Sequence, residues 1–220
     1  MVKCIEEYIQ VADFKMYTKI FQGKKKQPVI ILESGYGDYS KAWNQTAEEL
    51  TEYGTVLTYD RAGLGKSGKS SKKRIFYPED MLGIVLVDST PENYKEAFLP
   101  IMSPEFQEAY YKQFVHESSY EEFMFSLGEA DKYCQSTRDI PLVVLAAGKK
   151  AFYSQDAQIK WLQLQEELLR LSNKNKLIIA EQSGHYIQKD EPHYITDAVR
   201  WIIEVREREM CTLYFNIIGK

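Results

Sequence analysis

The chain has 220 residues, of which 44% are hydrophobic, and this length is enough for one well-buried domain. Its net charge of −4 argues against a general nucleic-acid binder. Three cysteines lie far apart without C-x-x-C spacing, which indicates neither a zinc site nor a disulfide framework. The acidic N-terminal stretch and the lack of a long apolar run predict a cytoplasmic protein without a membrane span.

The first part of the chain predicts a hairpin followed by a strand–helix–strand unit. Residues 5–12 and 15–21 alternate loosely and are rich in Ile, Val, Phe and Tyr, as is typical of strands. The apolar run at residues 28–32 predicts a parallel strand that is buried on both faces. A helix at residues 40–53 and a buried strand at residues 55–59 complete a βαβ unit. This order indicates an α/β fold with a mostly parallel sheet.

The second part predicts more buried strands and two long helices. Apolar runs predict strands at residues 83–87, 141–147 and 176–180. One helix is predicted at residues 154–171, with Ile159 and Leu162 on its buried side, and another at residues 192–209. The helices would flank the sheet.

Residues 91–139 are rich in Phe and Tyr and show no strand pattern, so they predict a helical insertion. Two interpretations are open: the aromatic side chains face the core, or the insertion is a lid over an apolar substrate. We predict a single domain, residues 1–220, that includes this insertion.

A glycine-rich loop from Gly63 to Ser70 matches two nucleotide-binding patterns, G-x-G-x-x-G and G-x-x-x-x-G-K-[ST]. Asp88 lies at the distance of the acidic residue that binds a ribose. Both patterns need a helix that begins in the loop. The residues after Ser70 are basic, and Pro78 ends any helix within about two turns. Nucleotide binding is therefore the remote alternative.

Three loops resemble loops of the α/β-hydrolase family and follow the family's order along nearly the whole chain. The S-G-H sequence ending at His185, followed by D-E-P and a helix, resembles the catalytic-histidine loop. The loop that contains Ser34, Gly35 and Tyr36 resembles the oxyanion-hole loop, although many members have histidine in place of Ser34. Residues 60–67 resemble the turn after the family's fourth strand. The resemblance implies the α/β-hydrolase fold.

The sequence departs from the family in one respect, because it contains no G-x-S-x-G nucleophile elbow. In family members the elbow would fall between Arg74 and Tyr77. We therefore predict that a central strand–elbow–helix unit of roughly 30 residues or more is missing. The shortened sheet would expose apolar surface through which the chain could self-associate.

The resemblance implies hydrolysis of a small apolar ester or amide by a Ser-His-Asp mechanism that is impaired here. His185 is the implied base, and the nucleophile is unknown. Asp88 is the first choice for the acid, because the usual acid site after the strand at 141–147 holds no carboxylate; Asp156 is the alternative. We expect no cofactor, metal, nucleic acid or membrane partner. A non-catalytic binding or scaffold protein is the alternative function.

Overall fold

The computed structural model describes residues 2–23, 28–70, 81–115, 118–132 and 137–218. The chain divides into two compact units. Unit 1 comprises Met1–Phe76 and Glu108–Glu122, and unit 2 comprises Tyr77–Gln107 and Phe123–Lys220. The organisation as a single domain of residues 1–220 stays a prediction.

Unit 1 contains a four-stranded sheet in the order β1-β2-β4-β3. Strands β1 (Cys4–Val11) and β2 (Phe14–Phe21) form the predicted antiparallel hairpin. Strand β3 (Val29–Leu32) pairs in parallel with β4 (Thr55–Tyr59), and β4 pairs antiparallel with β2. The connection between β3 and β4 holds a 3-10 turn at Ser40–Trp43 and helix α1 (Asn44–Leu50), whose buried residues include Trp43, Ala47 and Leu50. The βαβ unit is thus confirmed.

Burial of β3 on both faces is a wrong prediction. Val29 and Ile31 are each 61% exposed, whereas Leu32 is buried. Successive side chains of a strand point to opposite faces, so only one face of β3 is covered. By contrast, all six residues of the strand at Leu142–Ala147 are buried, as the continuous apolar run predicts.

Unit 2 contains three parallel strands in the order β5-β6-β7: β5 (Ile84–Val87), β6 (Leu142–Ala147) and β7 (Asn175–Ala180). Leu142 and Val144 pack with Leu168 in the core beside this sheet. The parallel sheet of unit 2 and the helices between strands confirm the predicted α/β class, whereas the sheet of unit 1 is antiparallel in two of its three strand pairings. Strands β3 and β5 belong to different sheets, and residues 71–80 lie outside the described residues. The missing central unit therefore stays a prediction.

Residues 91–139 are helical in their described part, with helices α2 (Tyr94–Ala97), α3 (Pro104–Lys112) and α4 (Tyr120–Lys132). Tyr94 and Phe98 are buried and contact the ring of Trp161. These two aromatic side chains belong to the core, as one of the two interpretations expects. The lid role of the insertion stays a prediction.

Three helices follow β6: α5 (Gln155–Glu167), which continues as a 3-10 turn at Leu168–Leu171, the short α6 (Ile187–Asp190) and α7 (His193–Ile218). The predicted buried side of the helix at residues 154–171, namely Ile159, Leu162, Leu168 and Leu169, is wrong at Ile159, which is 49% exposed, and right at Leu168, which lies in the core with Leu169 packed against it. Within α5 the buried residues are Ala157, Trp161, Leu164 and Gln165. Helix α7 extends nine residues beyond the predicted end at residue 209. Within the described ranges, no helix combines the length and the apolar character needed to cross a membrane.

Candidate active site

A buried carboxylate, that of Asp88, lies directly after β5 and receives four hydrogen-bond donors. One oxygen, Oδ2, lies 2.7 Å from Nδ1 of His185 and 2.6 Å from Nζ of Lys150. The other, Oδ1, accepts the backbone N–H of Ala147 at 3.0 Å and the indole N–H of Trp161 at 2.7 Å. A carboxylate offers about four lone-pair positions, so the hydrogen-bonding capacity of Asp88 is filled.

The donors around Asp88 keep its carboxylate ionised. Burial by itself would raise the pKa of Asp88, but the hydrogen bond with His185 and the positive charge of Lys150 outweigh burial, so its pKa lies below the usual range. Asp88 also has a φ of +46°, in the left-handed region that aspartate tolerates better than most residues. Such backbone geometry is often found at functional sites.

The loop that carries His185 follows β7 and is fixed by the two acids of the D-E-P sequence. Glu191 accepts hydrogen bonds from the hydroxyl of buried Ser183 at 2.9 Å and from the N–H of Gln182 at 3.1 Å. Asp190 accepts the N–H of Gly184 at 2.9 Å. The side chain of His185 is 57% exposed, so small molecules can reach the ring while Nδ1 faces Asp88.

Three side chains on one face of α5 hold the ends of β5 and β6 in place. Gln158 donates to the carbonyl of Ala147 at 2.8 Å and Gln165 to the carbonyl of Ser89 at 2.8 Å, on either side of the Trp161 contact with Asp88. Positions three and four apart share a helix face, so these residues act from the same side. The sequence interpretation missed these three residues. The available signal was a tryptophan with one glutamine three positions before it and another four positions after it.

Lys150 is the residue that the sequence interpretation passed over at the usual acid site. Its side chain is 10% exposed, and Nζ lies 3.5 Å from the ring centroid of Trp161 and 5.0 Å from that of Tyr153. Burial lowers the pKa of Lys150, and the charge of Asp88 offsets only part of this effect. Burial also raises the pKa of Tyr94, whose ring lies 6.1 Å from that of Trp161, to about 12.

The alternative acid, Asp156, is exposed in the first turn of α5, two residues after the N-cap residue Ser154. A negative charge in that place stabilises a helix N-terminus. Among the described residues, the carboxylate in contact with the ring of His185 is that of Asp88. No group of three His, Cys, Asp or Glu side chains in the described ranges could hold a metal ion.

The predicted oxyanion loop lies in unit 1 and is anchored at both ends. The guanidinium of buried Arg61 donates to the carbonyls of Ser34 and Gly35. The hydroxyl of Tyr36 donates to the carbonyl of Ser118 at 2.7 Å. The hydroxyl of Ser34 is buried and has no hydrogen-bond partner among the described residues. A role of this loop in catalysis stays a prediction.

The glycine-rich turn after β4 is closed by its own hydrogen bonds. Buried Asp60 accepts the N–H of Ser40 at 3.0 Å and the N–H of Lys66 at 2.8 Å. The turn has further backbone N–H groups that donate to backbone carbonyls; the donors are Gly63, Leu64, Ser67 and Gly68. A phosphate-binding loop needs such amides for the ligand. This arrangement does not favour the nucleotide alternative.

The comparisons with known proteins give one sequence relative and several similar structures. No family model matches the chain. The chain is 27% identical over 208 residues to the uncharacterized protein YqjL of Bacillus subtilis (strain 168), a match that covers 77% of this chain and 81% of that protein. Since 77% of 220 residues is about 169, roughly 39 of the 208 aligned positions have no residue in this chain.

Two of the similar solved structures are enzymes with different reactions. The Cif epoxide hydrolase from Acinetobacter nosocomialis has a TM-score of 0.63 at 13% identity, and the match covers 90% of this chain and 88% of the epoxide hydrolase chain. The haloalkane dehalogenase DbeA-M1 loop variant from Bradyrhizobium elkanii has a TM-score of 0.60 at 14% identity, and the match covers 96% of this chain and 100% of the dehalogenase chain. At such identities the likeness shows the fold alone.

Proposed function

We propose that this chain, which has the α/β-hydrolase fold, retains the acid–base pair of an ester or amide hydrolase and is impaired in turnover by the loss of its nucleophile. His185 is the base and Asp88 the acid. The observation that carries the proposal is the 2.7 Å contact between Nδ1 of His185 and the buried Asp88 carboxylate. In a Ser-His-Asp mechanism the acid fixes the histidine tautomer and stabilises the imidazolium.

The contact defines what His185 can do chemically. With its proton on Nδ1 donated to Asp88, the neutral ring carries its lone pair on Nε2. Nε2 can then accept a proton from a hydroxyl group or a water molecule, because more than half of the side chain is exposed. The substrate or ligand would be a small apolar ester or amide.

The impairment rests on the sequence, which contains no G-x-S-x-G serine. A hydroxyl is a weak nucleophile unless a base and an oxyanion hole act on it in the correct geometry. The roughly 39 aligned positions that this chain lacks relative to YqjL support a deletion. A strand–helix unit of about 30 residues would fit within a deletion of that size.

A fluorophosphonate probe tests this function, because it forms a covalent adduct with an activated serine. We expect intact-mass spectrometry to show no stoichiometric adduct, with an active serine hydrolase as the positive control. A single adduct at one serine, lost in His185→Asn, would contradict the impairment and identify the nucleophile.

A second candidate function is non-catalytic binding of the same class of ligand. The observation that favours it is the contact of Lys150 with Asp88. The lysine compensates the negative charge of Asp88, which a catalytic histidine needs for the stabilisation of its protonated form. Calorimetric titration with a small apolar ester is expected to show saturable binding without turnover. Turnover that depends on His185 would argue against this candidate.

A further inference from the structure

We propose that Lys150 is a positioning residue that shares Oδ2 of Asp88 with His185 and so weakens the hold of the carboxylate on a protonated His185. The inference rests on the proposed function, because it assigns a role at the same acid–base pair. Both nitrogens lie within 2.7 Å of one oxygen atom. The second oxygen of Asp88 is already engaged by Ala147 and Trp161.

The surroundings of Lys150 keep its ammonium group at Asp88. The ammonium lies 3.5 Å from the ring centroid of Trp161, a distance typical of a cation–π contact. The backbone N–H of Lys150 donates to Gln158 at 3.1 Å, and Gln158 in turn donates to Ala147. Because the side chain is 10% exposed, water offers little competition for the ammonium group. Lys150 is thus held from both its main chain and its side chain.

The electrostatic consequence follows from the charges. An unshared aspartate stabilises the imidazolium that forms when the histidine accepts a proton. Here the Lys150 ammonium compensates the charge of the Asp88 carboxylate, so the carboxylate stabilises a protonated His185 less strongly. The titratable groups that face Asp88 are His185 from the loop after β7, and Lys150 and Tyr153 from the loop after β6. Near His185, Asp190 and Glu191 are bonded to groups of their own loop. Lys150 is therefore the cation that weakens His185 as a base.

The pH dependence of histidine acylation tests this role. Diethyl pyrocarbonate reacts with the neutral imidazole, and mass spectrometry of peptides reads His185 and His193 separately in one sample. We expect Lys150→Met to raise the pH of half-maximal reaction at His185 by about one unit, the order of effect that one nearby unit charge has on a partly solvated group. In Lys150→Met, the half-maximal pH at His193 is expected to match the wild-type value. The control variant Lys149→Met, which changes the exposed neighbouring lysine, is expected to leave the half-maximal pH at His185 unchanged.

The outcomes separate this inference from the proposed function. An unchanged or lowered half-maximal pH in Lys150→Met overturns the role of Lys150. Asp88→Asn is expected to lower the half-maximal pH at His185. If Asp88→Asn changes nothing, the acid–base pair itself fails, and with it the proposed function.

A measurement on the wild-type protein keeps the inference testable even if Lys150→Met does not fold. Acetylation by an N-hydroxysuccinimide ester requires a free, accessible amine. We expect Lys150 to react at least about tenfold more slowly than exposed Lys149, because its burial and its pairing with Asp88 restrict access of the ester more than its lowered pKa favours the free amine. Equal rates at the two neighbouring lysines would overturn the shared-carboxylate arrangement.

Discussion

Replacement of Lys150 by methionine removes the ammonium group and keeps most of the side chain that packs against Trp161. The side chain of Asp88 is 0% exposed, so the variant leaves its carboxylate buried without this counter-charge. Removal of one partner of a buried ion pair typically costs about 3–5 kcal/mol of unfolding free energy. Three donors to Asp88 remain, from His185, Ala147 and Trp161, so we expect the loss of unfolding free energy to lie at the lower end of this range, about 3 kcal/mol.

A double-mutant cycle isolates the pair from the loss of packing. Asp88→Asn alone leaves the Lys150 ammonium buried without its carboxylate, whereas the double variant leaves neither charge. We therefore expect the double variant to be more stable than the sum of the single losses predicts, with a coupling of about 1–3 kcal/mol. Urea unfolding at pH 7, followed by tryptophan fluorescence, provides the free energies. Lys149→Met is the matched control and should remain within about 0.5 kcal/mol of the wild type.

Two results would refute this reasoning. A Lys150→Met variant within about 0.5 kcal/mol of the wild type would show that the ion pair does not stabilise the fold. Strictly additive losses in the cycle would show that Lys150 and Asp88 do not interact in solution. Either result would also remove the electrostatic basis for the role of Lys150 beside His185.

Three further predictions concern neighbouring contacts. Because the pKa of Asp88 is lowered, its stabilising contribution is complete above the unfolded-state value of about 3.9 and is lost as the pH falls through the lower folded-state value. The stability difference between the wild type and Asp88→Asn should therefore narrow only below about pH 4 in urea unfolding across a pH series. Trp161→Phe removes a donor from buried Oδ1 of Asp88 and should cost about 1–3 kcal/mol by the same assay; no loss would contradict the indole hydrogen bond. Gly65 has a φ of +51°, and a β-carbon there would overlap the Asp60 carboxylate, so Gly65→Ala should cost more than about 2 kcal/mol. Gly35→Ala, whose β-carbon would meet nothing within 4 Å, should cost little, and equal losses would contradict the closed turn.

The strands were predictable because their signals are local. The apolar run at Thr55–Tyr59 has the predicted bounds, and the other strands differ by one residue at one or both ends. The exposure of β3 could not be predicted, since an apolar run does not reveal whether another element covers its second face. His185 could be named because its loop resembles the catalytic-histidine loop of the α/β-hydrolase family, and Asp88 because it follows the carboxyl end of a predicted strand while the usual acid site holds no carboxylate.

The groups that surround Asp88 were not predictable from local patterns. Lys150 and Trp161 are 62 and 73 residues away from Asp88 along the chain, and the contact of Trp161 depends on how α5 is rotated about its axis. The apolar stripe through Ile159 indicated a different rotation, in which Trp161 would not face the sheet. The helix instead buries Trp161 and Gln165, whose N–H groups find acceptors directly after the carboxyl end of β5.

In the described part of the chain, the hydrogen bonds and the ion pair that position Asp88 and His185 arise within unit 2. The donors to Asp88 come from the end of β6, the loop after it, helix α5 and the loop after β7, and β5 is held by its pairing with β6. None of these contacts involves the part of the chain before residue 81, where the nucleophile elbow would fall. A carboxylate and histidine that are supported in this way do not need the elbow for their placement, because the four described donors to Asp88 lie elsewhere in the chain. The same locality allows Lys150 to alter the pair without any change in the rest of the fold.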